Sequence, residues 1–150
     1  MGADMSIGLE NHFAVLVDAL GMHIGVDIHP VDGSVVLVDD AGRVRLVVEQ
    51  ALSNEAICLI APFMPFPDME SFEFGYVAGQ LLQLNADRAA MNGAVVCADA
   101  LRQEFCLVCE LRVEIPAVDF IGAAEALGLL ACSLRDTLNK VHLGAYRFSP

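Results

Sequence analysis

The sequence predicts an α+β fold in the order α-β-β-β-α-β-β-α, with a twisted antiparallel sheet packed by helices. Three observations carry that prediction. Strand-like runs come in pairs joined by turn signals, three apolar stripes recur at helical spacing, and no strand–helix–strand unit repeats. The first stripe, Leu9, Phe13, Leu16 and Leu20, predicts a helix over 6–20, with Ser6 as its N-cap and Gly21 just past its end. Val35-Val36-Leu37-Val38 then forms a β-branched run that stops at the turn signal Asp39-Asp40-Ala41-Gly42. Residues 43–49 alternate, with Val44, Leu46 and Val48 on one side and Arg43, Arg45 and Glu49 on the other. The two runs read as a hairpin.

Ile57 to Ala61 is the third predicted strand, closed by Pro62. The Pro62-Phe63-Met64-Pro65-Phe66-Pro67 segment is predicted as a non-helical loop, because proline biases the residue before it toward extended geometry. A second helix is expected over 71–84, with Phe74, Val77, Ala78, Leu81 and Leu84 as its stripe. Ala94–Ala98 and Phe105–Val113 read as a second hairpin. In its second arm Phe105, Leu107, Cys109, Leu111 and Val113 face one way. Asp119 caps a last helix to about Lys140, whose buried stripe is Phe120, Ala124, Leu127, Ala131, Leu134 and Leu138. Gly122 and Gly128 each weaken that helix by about 1 kcal/mol in isolation, so packing must hold it. One domain spanning 1–150 is expected, with tails at 1–5 and 143–150; no repeat or linker interrupts it.

Composition narrows the function. Apolar residues make 56% of the 150 before glycine is counted, against about 45–50% with glycine counted in ordinary soluble domains. That excludes a disordered chain and leaves more apolar surface than one core of this size uses, so the excess is expected at an interface. No apolar window of the ~18 residues a bilayer needs escapes a charge, so no membrane span is expected. Twenty acidic residues against eight basic ones give a net charge of −12, a poor match for nucleic acid and an attraction for a basic partner. Residues 1–75 hold 12 acids and 2 bases, so the imbalance sits in the first half. Residues 1–6 lack a positive export leader, which with five cysteines, an odd number, points to reduced thiols in a cytoplasm.

Catalytic signatures are weak. Cys106 and Cys109 are three apart in an alternating strand and so point to opposite faces, which argues against a redox or zinc pair. Cys97 can face Cys109 across the second hairpin if its turn is short. His23 and His29 flank Asp27, yet no third ligand has a helix-fixed spacing. There is no phosphate-binding glycine loop and no nucleophile beside an evident base. No enzyme, metal or cofactor is therefore expected. The alternatives kept open are a related α+β dimer that sequesters a regulator, a small thiol-redox or metal enzyme using Cys106 and Cys109, and a small-ligand carrier.

The stretch Leu81-Leu82-Gln83-Leu84-Asn85, Gly93 before a strand, the Phe105–Val113 strand and the long terminal helix resemble the class I type III secretion chaperones, which escort effectors in bacteria. The likeness runs from about residue 6 to residue 141. Many relatives carry an aromatic, often Trp, late in the last helix, where this chain offers Leu134 and Leu138. The resemblance implies a cytoplasmic, non-enzymatic homodimer that holds the N-terminal segment of a secreted effector in extended form. It implies a dimer interface at Phe74, Val77, Leu81, Val95 and Val96. It implies effector binding at Leu9, Phe13, Leu16, Val36, Val38 and Leu46, part of it by strand addition, and the secretion apparatus as a further candidate partner.

Overall fold

A five-stranded antiparallel sheet in the order β1-β2-β3-β5-β4 organises the chain. The computed structural model describes the backbone of residues 3–53 and 55–146, with the side chains of 3–7, 9–11 and 141–146 left out. In chain order the elements are α1 (Ala3–Ile24), β1 (Ser34–Val38), β2 (Val44–Gln50), β3 (Ala56–Pro65), α2 (Phe72–Gln83), a 3-10 turn (Leu84–Ala86), α3 (Arg88–Met91), β4 (Val95–Asp99), β5 (Glu104–Arg112) and α4 (Ala117–Tyr146). The expected α+β class and element order hold. The 3-10 turn and the one-turn α3 are additions between α2 and β4.

One face of the sheet carries the core. β3 and β5 pair along nearly their whole length, which sets Ile57, Leu59 and Ala61 beside Leu111, Cys109 and Leu107 on one side. α4 crosses this side and α1 packs beside it. Phe120, Ala124, Leu127 and Ala131 of α4 are buried there with Phe13, Leu16, Val17 and Leu20 of α1. Each such side chain larger than alanine contributes about 1.5–3 kcal/mol by leaving water, which offsets the cost of Gly122 and Gly128 within α4.

Five element ends differ from expectation by two residues or more. α1 starts at Ala3 and runs past Gly21 to Ile24, so Ser6 is not its cap. Gly25, at φ +73°, is the left-handed residue that ends it, and Val26 N–H donates back to Gly21 O at 2.9 Å. Gly21 instead serves close approach: a Cβ there would stand 2.7 Å from Val26 O. β3 does not stop at Pro62 but continues to Pro65 through a bulge between Pro62 and Met64. Its pairing with β2 ends at Ile60, and beyond that point a missing proline N–H costs no ladder bond. Arg135 of α4 closes the gap, its guanidinium donating to Phe63 O (3.2 Å) and Pro62 O (3.0 Å). α4 also begins at Ala117 and reaches Tyr146. Within Ala117–Lys140 an 18-residue window of mean hydropathy 1.6 is long and apolar enough to cross a bilayer by length and composition, but every such window holds a charged residue, as expected; in this fold its stripe is spent on the sheet.

Candidate functional site: an open sheet edge and an apolar sheet face

The β1 edge is built by two turns. Asp32 (φ 51°) and Gly33 (φ 71°) make a tight reversal in which Val31 and Ser34 exchange backbone bonds of 2.9 and 3.0 Å. Gly33 O accepts from Gln50 N–H of β2 at 2.9 Å. Gly33 thus faces β2 while Ser34 faces away, and alternation turns the backbone of Val36 and Val38 outward, away from β2. At the far end Asp39 N–H returns to Arg43 O. The Asp39 carboxylate accepts Ala41 N–H and Arg43 N–H at 2.9 Å each, and binds Arg45 through Nε at 2.9 Å. The Arg43 backbone N–H chiefly holds the Asp39 carboxyl below its usual pKa, against a smaller opposing effect of desolvation.

The opposite edge, β4, is capped at Val96, the first of its two outward-facing residues. Val96 N–H donates to Asn85 Oδ1 at 2.7 Å, and Asn85 Nδ2 donates to Val96 O at 3.2 Å. One amide side chain therefore occupies both outward groups of Val96, as a neighbouring strand would. Just before β4, Ala94 N–H is taken by Met91 O at 3.0 Å.

The sheet face opposite the helices is aliphatic. Register aligns Val36 of β1 with Val47 of β2, Ile60 of β3, Val108 of β5 and Val95 of β4, one row across all five strands. Val36 and Val95 stand 50% and 45% exposed at its two ends, and Val38, two residues on, is 57% exposed. A second row, Ser34, Glu49, Cys58 and Glu110, runs alongside and supplies two carboxylates. Burial, and then the charges of Glu110 and Glu49, raise the Cys58 thiol above its usual pKa.

α2 has two unlike faces. Val77 and Leu81 are buried, and Phe74 meets Phe66 and Phe105 at centroid distances of 5.1 and 6.0 Å. The other side exposes Phe72 (91%) and Tyr76 (60%), with Gly75 before Tyr76 and Gly79 one turn after it, and open space above both glycines.

The residues expected at the effector site divide. Val36 and Val38 lie on the exposed sheet face and the open edge. Phe13, Leu16 and Leu46 are core residues, buried within the chain's own helix–sheet interface, which corrects their placement on a preformed surface. Leu9 lies outside the described side chains. Among the expected dimer residues, Val95 is exposed and Phe74 half-buried. Val77, Leu81 and Val96 are corrected to core, because the inner face of α2 is used inside the chain. Phe72, Gly75, Tyr76 and Gly79, which make the exposed face of α2, were not singled out by the sequence pattern. Their spacing of three and four was visible, but the stripe of Phe74, Val77 and Leu81 carries more aliphatic residues and drew the assignment.

Among the described residues the thiols and histidines do not converge on one site. Cys106 lies on the aliphatic face and Cys109 on the core side, as alternation requires. Cys97 pairs with Cys106, which corrects the expected opposition of Cys97 and Cys109. His23 reaches Glu125 of α4 at 2.6 Å, whereas His29 meets Asp27 at 3.1 Å, so the three residues do not converge. Among the described residues no group of three or more His, Cys, Asp or Glu side chains is placed to hold a metal ion.

No protein-family model and no curated protein matches the sequence. Solved structures do match. A chain of the HopA1–SchA chaperone–effector complex aligns at a TM-score of 0.64 and 16% identity, over 83% of this chain and 94% of that one. The Yersinia pestis type III secretion chaperone SycH complex with a stable fragment of YscM2 aligns at 0.59 and 11%, over 81% and 98%. The chain has the type III secretion chaperone fold. A chain of the ExsC–ExsE complex also aligns, at a TM-score of 0.60 and 15% identity, over 83% and 89%. The alignments cover 81–83% of this chain and 89–98% of the others, so the likeness is one of whole fold.

Proposed function

We propose that this protein is a bacterial cytoplasmic, non-catalytic chaperone that binds the N-terminal segment of a secreted effector in extended form and keeps it secretion-competent. The observation that carries the reading is the asymmetry of the sheet: β1 offers outward backbone groups at Val36 and Val38 beside exposed aliphatic side chains, while Asn85 occupies β4. An extended segment gains main-chain bonds at such an edge and places alternate side chains on the aliphatic row. Binding orders a flexible chain, and its cost is offset by apolar area. Glu49, Glu110 and the net charge of −12 favour a client with basic residues near its apolar anchors.

The same reading makes the protein a homodimer through the outer face of α2. Phe72 and Tyr76 supply apolar area there, and Gly75 and Gly79 let a second helix approach closely. The test is co-expression with candidate effectors encoded nearby, followed by gentle purification and limited proteolysis. A client held through a protease-sensitive N-terminal segment, two copies of the chaperone per complex, and loss of both the client with Val36→Asp and the dimer with Tyr76→Asp are the expected results. A monomer that binds no effector segment contradicts the reading.

A further inference from the structure

Cys97 and Cys106 are direct cross-strand partners in the β4–β5 hairpin, on the sheet face away from the helices. Cys106 Sγ lies 3.8 Å from Cys97 O, so the buried thiol already leans toward its partner's strand. The kind of pairing follows from Asn85. Because Val96 turns its N–H and C=O outward to that side chain, Val96 and Leu107 are a non-hydrogen-bonded pair, and Cys97 and Cys106 on the next rung are a hydrogen-bonded one. Cα atoms of such a pair stand about 5.5 Å apart, within disulfide range, but the Cβ atoms stand about 5.5 Å apart where a relaxed disulfide has about 3.8 Å.

We propose that Cys97 and Cys106 form a reversible cross-strand disulfide, making this hairpin a modification site for small-molecule disulfides such as oxidised glutathione. The strain of closing a hydrogen-bonded pair makes the bond easily reduced, which suits a labile site rather than a permanent staple. No other cysteine has a cross-strand partner thiol: Cys58 faces Glu110, Cys109 faces Leu59 on the core side, and Cys132 is exposed on α4.

The chemistry proceeds in two exchanges. Cys97, the more exposed of the two, attacks the small disulfide RSSR to give Cys97–S–S–R and one RSH, the displaced sulfur taking up the proton. Cys106 then attacks the Cys97 sulfur, forming the Cys97–Cys106 bond and releasing a second RSH. The two electrons lost by the protein thiols end on the two RSH molecules. Burial raises both thiols, Cys106 to about 11, with the neighbouring Cys97, Asp99 and Glu104 adding to it. Neutral solution therefore holds few thiolates, and the rate of closure rises nearly tenfold per pH unit between neutrality and the thiol pKa.

The experiment uses the full chain carrying Cys132→Ser, treated with oxidised glutathione across pH 7 to 9, quenched with acid, alkylated under denaturing conditions and read by intact mass and peptide mapping. The expected product has lost two hydrogens, links the 97 and 106 peptides, and reverts with reduced glutathione. Adding Cys106→Ser should instead leave a stable glutathione adduct on Cys97. A wild-type pair in which both thiols are alkylated, an adduct that rests on Cys97 without closure, or a bond to Cys58 or Cys109 overturns the proposal. No client is needed, so the outcome is independent of effector binding.

Discussion

The two edges of the sheet solve the same problem in opposite ways. At β4, Asn85 supplies one donor and one acceptor to Val96 and leaves the strand with a side-chain substitute for a neighbour. At β1, the Val31–Ser34 turn satisfies only the first rung, and the Val36 and Val38 backbone faces outward. Unpaired edges invite association with other chains, and proteins usually blunt them. Here one edge is blunted and the other is kept, beside its own exposed valines. The difference teaches that edge protection is selective in this fold, and that the unprotected edge is where function is to be sought.

The largest expected effect breaks the open edge. Val36→Pro removes an outward N–H that no strand in the chain uses, so the isolated protein should keep its fold, as edge prolines do. Client affinity should fall by about 2 kcal/mol or more, roughly thirtyfold, through the lost bond and the obstructed approach. Calorimetric titration of the variant against a client segment, with thermal unfolding as the control, measures both. A variant that binds as the wild type does would remove β1 from the site.

Next in size is the closed edge. Asn85→Ala leaves Val96 N–H and C=O unpaired in a part-buried place and should cost about 1–3 kcal/mol in denaturant unfolding. It should also increase self-association through β4, read by sedimentation velocity. Asn85→Asp keeps the acceptor for Val96 N–H and adds an edge charge, so it should be less prone to associate. Unchanged stability and association in Asn85→Ala would mean that Asn85 guards nothing.

Of similar or smaller size is the interior gap where β3 runs on beyond β2. Arg135→Leu keeps most of the stem and removes the donors to Pro62 O and Phe63 O, with an expected cost of about 1–2 kcal/mol. The pH dependence of the β1–β2 turn is smaller still. Asp39 has its pKa lowered in the fold, so its contribution is present above the unfolded value of 3.8 and is lost as pH falls through the lower folded value. The protection of the Ala41 and Arg43 amides relative to intrinsic exchange at each pH should therefore fall only in acid below that point, and a fall in protection near neutrality would contradict it.

Much of this architecture was legible in the residues themselves. Alternation identified β5 and its core face, and the Asp39–Gly42 signal placed the first hairpin turn. What alternation could not say was what each stripe packs against. Phe13 and Leu16 have the same period whether they face their own sheet or a foreign chain, and the structure uses them internally. Asn85 was unreadable as an edge cap because its partner, Val96, lies eleven residues on and is brought near only by the 3-10 turn and α3. Pro62 misled for a related reason: a proline ends a strand in a full ladder but is tolerated where the neighbouring strand has already left. Each of these depends on which strands become neighbours.

Hydrogen exchange resolved to single amides, on the chaperone alone and with a bound effector segment, tests the central claim most directly. The account predicts that Val36 and Val38 exchange fast in the free protein and slow by at least tenfold in the complex, while Val96 is protected in both. Protection gained at β4, or unchanged exchange at Val36 and Val38 in a complex that demonstrably forms, would contradict it.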